Sequence, residues 1–229
     1  MLNKALFICF LSLAVFLRFF NLNNLPPSLN WDEVSLGYNA YSILKTGKDE
    51  WGEFLPLSFR AYGEYKLPAY VYLDAPFIAA FGLNEWGVRL PSAIMGIFTC
   101  VFLFLILKVL TKDVRVGLIG FFLIATAPWA IILSRIGLEA NLALTLTTGA
   151  VFFLLKEKPS LIISSILLGF SIFAYNSSRI VSPLLLILAI IFFWKQFKNY
   201  KLKAAISLVV FLIFFSAAIP LAFLQDSSA

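Results

Sequence analysis

The chain contains no histidine at all. This removes the commonest acid–base group and the commonest neutral metal ligand, so proton chemistry falls to carboxylates, tyrosines or lysines. Cysteine is almost as scarce. Cys9 and Cys100 both lie in apolar stretches, which excludes a disulfide framework, and no metal-ligand spacing is present. Charge is thin as well: Asp, Glu, Lys and Arg supply 13% of the 229 residues, about half the share in a soluble domain. The net charge of +6 does not point to a nucleic-acid partner. The basic residues sit at the ends of apolar runs and form no patch that could follow a phosphate backbone.

What the chain has in excess is apolar. Hydrophobic residues make up 61%, with 25 phenylalanines and a mean hydropathy of +0.93. They cluster into long blocks, as in a chain whose solvent is lipid. The blocks predict an all-α polytopic membrane protein, a single transmembrane domain over 1–229 with about seven spans. The spans fall near 2–20, 90–107, 116–133, 140–155, 161–175, 180–194 and 204–224. The first reads as an uncleaved anchor, because Leu17-Arg18-Phe19-Phe20-Asn21 offers no small-x-small cleavage site. Two of the spans are shorter than the ~17 residues a perpendicular helix needs.

Charge sets the expected orientation. With the N-terminus cytoplasmic, the inner side receives ten basic residues: Lys4, Lys108, Lys112, Arg115, Lys156, Lys158, Lys195, Lys198, Lys201 and Lys203. The short outer loops receive only Arg135 and Arg179, which is a positive-inside pattern and predicts a multi-pass plasma-membrane protein.

The first outer loop, 21–89, is less generic. Asn30-Trp31-Asp32-Glu33 reads as a helix start, with Asn30 as N-cap, Glu33 closing a capping box and Gly47 as the stop. Trp31, Val34, Tyr38 and Tyr41 follow helical spacing on one face, as suits a headgroup zone. A second apolar stretch, 67–82, carries Asp74 and is interrupted by Pro76. It is expected to lie at the interface or to dip partway into the membrane, giving two interfacial helices joined by a turn-rich connector.

Asp32 and Glu33 are adjacent, so on a helix their side chains diverge by ~100° and cannot share a proton. Both face the positive end of the helix macrodipole, and each reads either as a charge match for the first turn or as a site acid. Arg135 and Glu139 stand four apart, the spacing of an ion pair that orients a helix. Arg179 reads as a snorkelling anchor, and Lys66 and Arg89 bracket the second apolar stretch. Together, Lys66, Arg89, Arg135 and Arg179 form a cationic outer-face set. Beside an exposed carboxylate, such a set suits a substrate with a phosphate head and a lipid tail. Asn176-Ser177-Ser178 is a glycosylation sequon too short to weigh.

Four segments together resemble the type-C membrane glycosyltransferases. They are Trp31-Asp32-Glu33, Gly63-Glu64-Tyr65-Lys66-Leu67-Pro68, Phe81-Gly82 and Val88-Arg89-Leu90-Pro91-Ser92. The nearest branch is the bacterial family 39-like group, similar to protein O-mannosyltransferases and the lipid A aminoarabinose transferase, over about residues 15–195. The resemblance implies an inverting glycosyltransferase that takes a sugar from a polyprenyl-phosphate carrier in the membrane to a lipid, glycan or protein hydroxyl on the outer face. It puts Asp32 in the role of catalytic base and Lys66 near the carrier phosphate. Glu33, Glu64, Arg89, Arg135, Glu139 and Arg179 are the accompanying substrate-binding candidates.

This sequence departs from the family pattern in three ways. Lys66-Leu67-Pro68 stands where the family has Lys-Pro-Pro. No His exists for the metal site some relatives carry, so a divalent cofactor would find no His ligand here. Relatives are also longer, so the chain reads as an N-terminal half, with a second chain as the expected supplier of the rest. The rival classes are a polyprenyl-lipid transporter or flippase, and a non-catalytic membrane subunit. The first is disfavoured because the charges gather at the outer face and not mid-span.

Overall fold

The computed structural model describes residues 2–192, 194 and 201–226. Lys195 and Lys198, counted above on the inner side, and Ser227-Ser228-Ala229 lie outside the described residues. Helices dominate, in the order α1 (Leu2–Phe19), α2 (Trp31–Thr46), α3 (Pro68–Phe81), α4 (Glu85–Thr111), α5 (Val114–Thr126) and α6 (Pro128–Arg135). They continue as α7 (Glu139–Leu155), α8 (Leu161–Ile172), α9 (Ser178–Phe192) and α10 (Lys201–Asp226). Between α2 and α3 stands a small antiparallel hairpin, β1 (Phe59–Ala61) and β2 (Glu64–Lys66).

By length and composition, α1, α4 and α10 can cross a membrane, and α5 with α6 makes a fourth candidate if the bent pair is one span. α7, α8 and α9 are apolar but shorter. Of the about seven expected spans, three or four are helices of sufficient length among the described residues, and α7, α8 and α9 are shorter apolar helices packed among them. Their relative directions follow the alternation that the apolar blocks predict. α1 runs parallel to α5: Phe7 meets Phe121 at 5.5 Å, and the Arg18 side chain reaches the Ala125 carbonyl. α4 runs parallel to α7, with Asn141 donating to the Ser92 carbonyl and Thr99 bonded to Thr145 at 2.8 Å. α8 runs parallel to α10, with Ser165 on Ser207 and Phe170 on Phe214 at 4.9 Å. Small hydroxyls at these contacts let helices approach closely where no water drives them together.

The third predicted span is not straight. α5 and α6 meet at a 60° bend at Ala127-Pro128. Pro128 has no N–H to give, and it holds Ala127 extended (φ −62°, ψ 122°). The carbonyls of Ile124 and Ala125, orphaned at the end of α5, are taken by the buried Arg18 guanidinium, whose Nε also donates to Ser134. Arg135 does the same for the exit of α1, donating to the carbonyls of Leu17, Phe20, Asn21 and Leu25. It thus makes no pair with Glu139, because the helix ends at Ile136 and a new one starts after Leu138.

In the first loop, α2 has the predicted capping box: Asn30 Oδ1 accepts from Glu33 N, and Glu33 Oε2 accepts from Asn30 N. Gly47 stops the helix in the left-handed region, at φ 71°. Trp31, Val34 and Tyr38 are exposed along one face, whereas Tyr41 turns partly into the core. α3 forms over the expected stretch. It continues through Pro76 and buries one face, with Tyr70, Val71, Asp74 and Ile78 against α2, α4 and α7.

Asp74 is fully buried, and neither carboxylate oxygen has a hydrogen-bond partner among the described residues. Burial pushes its pKa up to about 8. The folded chain therefore keeps a proton that the unfolded chain releases near pH ~4. Stability is greatest below that value and declines as pH rises through the window up to about 8. Asp74→Asn cannot ionise, so its melting temperature relative to wild type should rise steadily between pH 5 and pH 8.5. A constant offset across that range would contradict a buried, protonated Asp74.

Candidate active site

The connector between α2 and α3 positions the first component. β1 and β2 pair in the register Phe59↔Lys66, Arg60↔Tyr65 and Ala61↔Glu64. Their two-residue turn needs positive φ at both places, and Tyr62 (36°) and Gly63 (87°) supply it. Phe59 is buried against Tyr72, and Trp51 braces the outer edge, its ring under Arg60 at 4.7 Å and its indole N–H on the Arg60 carbonyl. Lys66 at the end of β2 is thus held by its backbone before its side chain meets anything.

That side chain meets three carboxylates. Lys66 Nζ lies 2.7 Å from Asp32 Oδ1, 2.5 Å from Glu64 Oε1 and 3.8 Å from Glu139 Oε1. The side chains grade from 59% exposed at Glu64 through 28% at Asp32 to 11% at Glu139 and 9% at Lys66, so Glu64 marks the mouth and the lysine the floor. Burial alone would lower the ammonium pKa. Hydrogen bonds to Asp32 and Glu64, with the fields of Glu139 and Asp32, more than reverse this and raise it, so Lys66 stays charged.

The four residues line a cavity of about 430 Å³, completed by Tyr65, Leu138 and the 174–177 turn between α8 and α9. An apolar groove of about 580 Å³ borders it, walled by Tyr72, Leu73, Leu146, Phe170, Phe173 and Phe214. Neighbouring residues belong to one or the other: Leu67 to the cavity and Pro68 to the groove, Ala174 to the cavity and Phe173 to the groove. The Ala69 N–H donates to the Phe173 carbonyl and fastens the two walls at that seam.

The sequence candidates fall into two sets. Asp32, Glu64, Lys66 and Glu139 converge on the cavity. Glu33, Arg89 and Arg135 are elsewhere. Arg89 and Glu33 form a buried pair with Nε–Oε1 at 2.8 Å. The same guanidinium donates to the carbonyls of Leu22, Pro26 and Ser28, and Glu33 Oε1 also accepts from Gly137 N. Arg179 stands at the start of α9, next to the cavity turn and not among its lining residues. Sequence reasoning passed over Arg18, whose apolar neighbours gave no signal. It also missed the lining turn Tyr175-Asn176-Ser177, whose polar run between two apolar blocks was the available cue.

A divalent metal does not fit this donor set. The point common to the three carboxylates is occupied by the Lys66 ammonium, and in that arrangement no group of three or more acidic or cysteine residues among the described ones is placed to hold an ion.

A sequence model of the dolichyl-phosphate-mannose-protein mannosyltransferase family matches residues 66–220, more than half of the chain. The match begins at Lys66 and leaves Asp32 outside it. No curated protein matches the chain. Two solved structures from Archaeoglobus fulgidus are similar in fold. One is the oligosaccharyltransferase AglB in complex with an inhibitory peptide and a dolichol-phosphate, with TM-score 0.63 and 19% identity over 93% of this chain and 29% of that one. The other is the oligosaccharyltransferase in the apo form, with TM-score 0.62 and 17% identity over 94% of this chain and 29% of that one. The chain therefore spans less than a third of either.

Because Arg89 and Glu33 hold the loop together, Arg89→Ala strands a buried carboxylate. It should cost about 3–5 kcal/mol in unfolding free energy. Replacing both partners by apolar residues (Glu33→Leu with Arg89→Met) should recover part of that loss. A loss under ~1 kcal/mol for Arg89→Ala would mean the pair is not structural.

Proposed function

The chain belongs to the dolichyl-phosphate-mannose-protein mannosyltransferase family, and from that premise we propose that it transfers a sugar from a polyprenyl-phosphate carrier to a hydroxyl acceptor on the outer face of the plasma membrane. The observation that carries this reading is the Asp32–Lys66 pair, 2.7 Å apart, in a polar cavity bordered by an apolar groove. A carrier lipid has the matching two parts, an anionic head for the cavity and an isoprenoid tail for the groove.

In this reading the acceptor oxygen attacks the anomeric carbon. Its proton passes to Asp32, the bond from that carbon to the phosphate oxygen breaks, and the phosphate leaves with its charge against Lys66. Direct displacement inverts the anomeric configuration. Asp32 keeps Oδ2 for this work while Oδ1 bonds the lysine. Glu64 at the mouth and Glu139 on the inner wall hold the ammonium in line. Glu33, Arg89 and Arg135 contribute by fixing the loop. The orientation comes from charge: Lys108, Lys112, Lys156 and Lys158 line a second cavity at the other ends of α4 and α7, which supports a cytoplasmic face there and an N-terminus on the same side.

The test uses purified chain in lipid nanodiscs and a short-chain polyprenyl-phosphate mannose, with release of polyprenyl phosphate measured with and without a serine/threonine peptide. Asp32→Asn keeps the shape of the side chain and removes the base, so release should fall by at least ~10²-fold while binding of the lipid persists. Undiminished release in Asp32→Asn would overturn the assignment.

A further inference from the structure

We propose that Lys66 is the resident cation of this site, standing at the point where three carboxylates would otherwise assemble a divalent metal, and that the site works without one. For its catalytic meaning the inference rests on the donor reading above; as a statement about ion binding it stands by itself.

The geometry carries it. Three acidic side chains from three separate elements converge: Asp32 from the first turn of α2, Glu64 from β2 and Glu139 from the first residue of α7. Oxygen donors gathered from distant parts of a fold around one partly buried point are what a hard divalent cation takes. Here the point holds an ammonium at 2.7 and 2.5 Å from two of the oxygens and 3.8 Å from the third. A metal within ~2.0–2.6 Å of the same oxygens would sit against the ammonium, like charge on like charge with little water between.

The lysine is not readily moved aside. Its backbone is fixed by the Phe59↔Lys66 register, its side chain is 9% exposed, and two carboxylates hold its ammonium at 2.7 and 2.5 Å. An ammonium has three donors. Asp32 and Glu64 take two, which leaves one directed donor for a phosphate oxygen. Glu139 Oε2 is buried and has no hydrogen-bond partner among the described residues. The carboxylate set is therefore not saturated by protein donors, and removing the lysine would leave it without its central charge.

The chain supplies the test. Wild type, Lys66→Met and the double variant Lys66→Met/Asp32→Asn are titrated with Mn²⁺ in nanodiscs of zwitterionic lipid, and bound ion is read by electron paramagnetic resonance. Wild type should show no saturable site tighter than about 1 mM. Lys66→Met should gain one at least ~10-fold tighter, and the double variant should lose it. Release of polyprenyl phosphate by wild type should be unchanged by EDTA.

A saturable wild-type site below 1 mM that disappears in Glu64→Gln overturns the proposal, and so does a folded Lys66→Met that gains nothing. If Lys66→Met fails to fold, the wild-type titration decides alone. Because the Mn²⁺ readout needs no turnover, failure of the donor reading and failure of this one are separable.

Discussion

The Arg89 guanidinium and the Glu33 carboxylate are 0% and 1% exposed, and everything placed around the cavity depends on their meeting. Burying two charges costs more than their attraction returns unless each remaining donor and acceptor finds a partner. Here they do. Arg89 divides its donors among Glu33 and the carbonyls of Leu22, Pro26 and Ser28. Glu33 accepts from Arg89, from its own cap residue Asn30 and from Gly137. One pair therefore ties together the exit of α1, the start of α2, the start of α4 and the turn between α6 and α7. These are the segments that must hold still if a loop more than sixty residues long is to present one carboxylate at one place.

Asp32 is that carboxylate. It precedes Glu33 by one residue, so the helix turns it by ~100° away from the buried pair and toward Lys66. The two acids of one motif thus divide the work, the second fixing the backbone on which the first is aimed. The hairpin does the same for the other partner, delivering Lys66 from a strand whose register leaves it no choice of position. A precise ion pair on a loop is ordinarily hard to keep, and here both ends are anchored by regular structure.

The sequence made the local devices readable. The capping box at Asn30 and Glu33 and the stop at Gly47 depend only on neighbours within a turn or two, and they stand where the residues indicate. The convergence of Asp32 with Lys66 came into view through a resemblance in motif order. Periodicity alone could not deliver it. The partner of Glu33 was not readable, because Arg89 lies 56 residues away and a long-range pair leaves no mark in spacing. The hairpin was missed because Tyr62 at positive φ is a poor turn signal, even with Gly63 after it. Pro128 was visible, yet the apolar run through it was read as one straight span. The Arg18 side chain that makes the bend tolerable again comes from the far side of the sequence.

The family match and the fold likeness concern the helical frame. The claim specific to this chain is that one carrier lipid lies with its head at Lys66 and its tail along the neighbouring groove. Photolabelling tests it most directly, using two polyprenyl phosphates, one with the diazirine near the phosphate and one with it along the chain, and mapping the adducts by mass spectrometry. Head-group adducts should fall within 64–67 and 174–177, and tail adducts at Phe170, Phe173 or Phe214. Head-group adducts concentrated instead at Lys108, Lys112, Lys156 or Lys158 would contradict it.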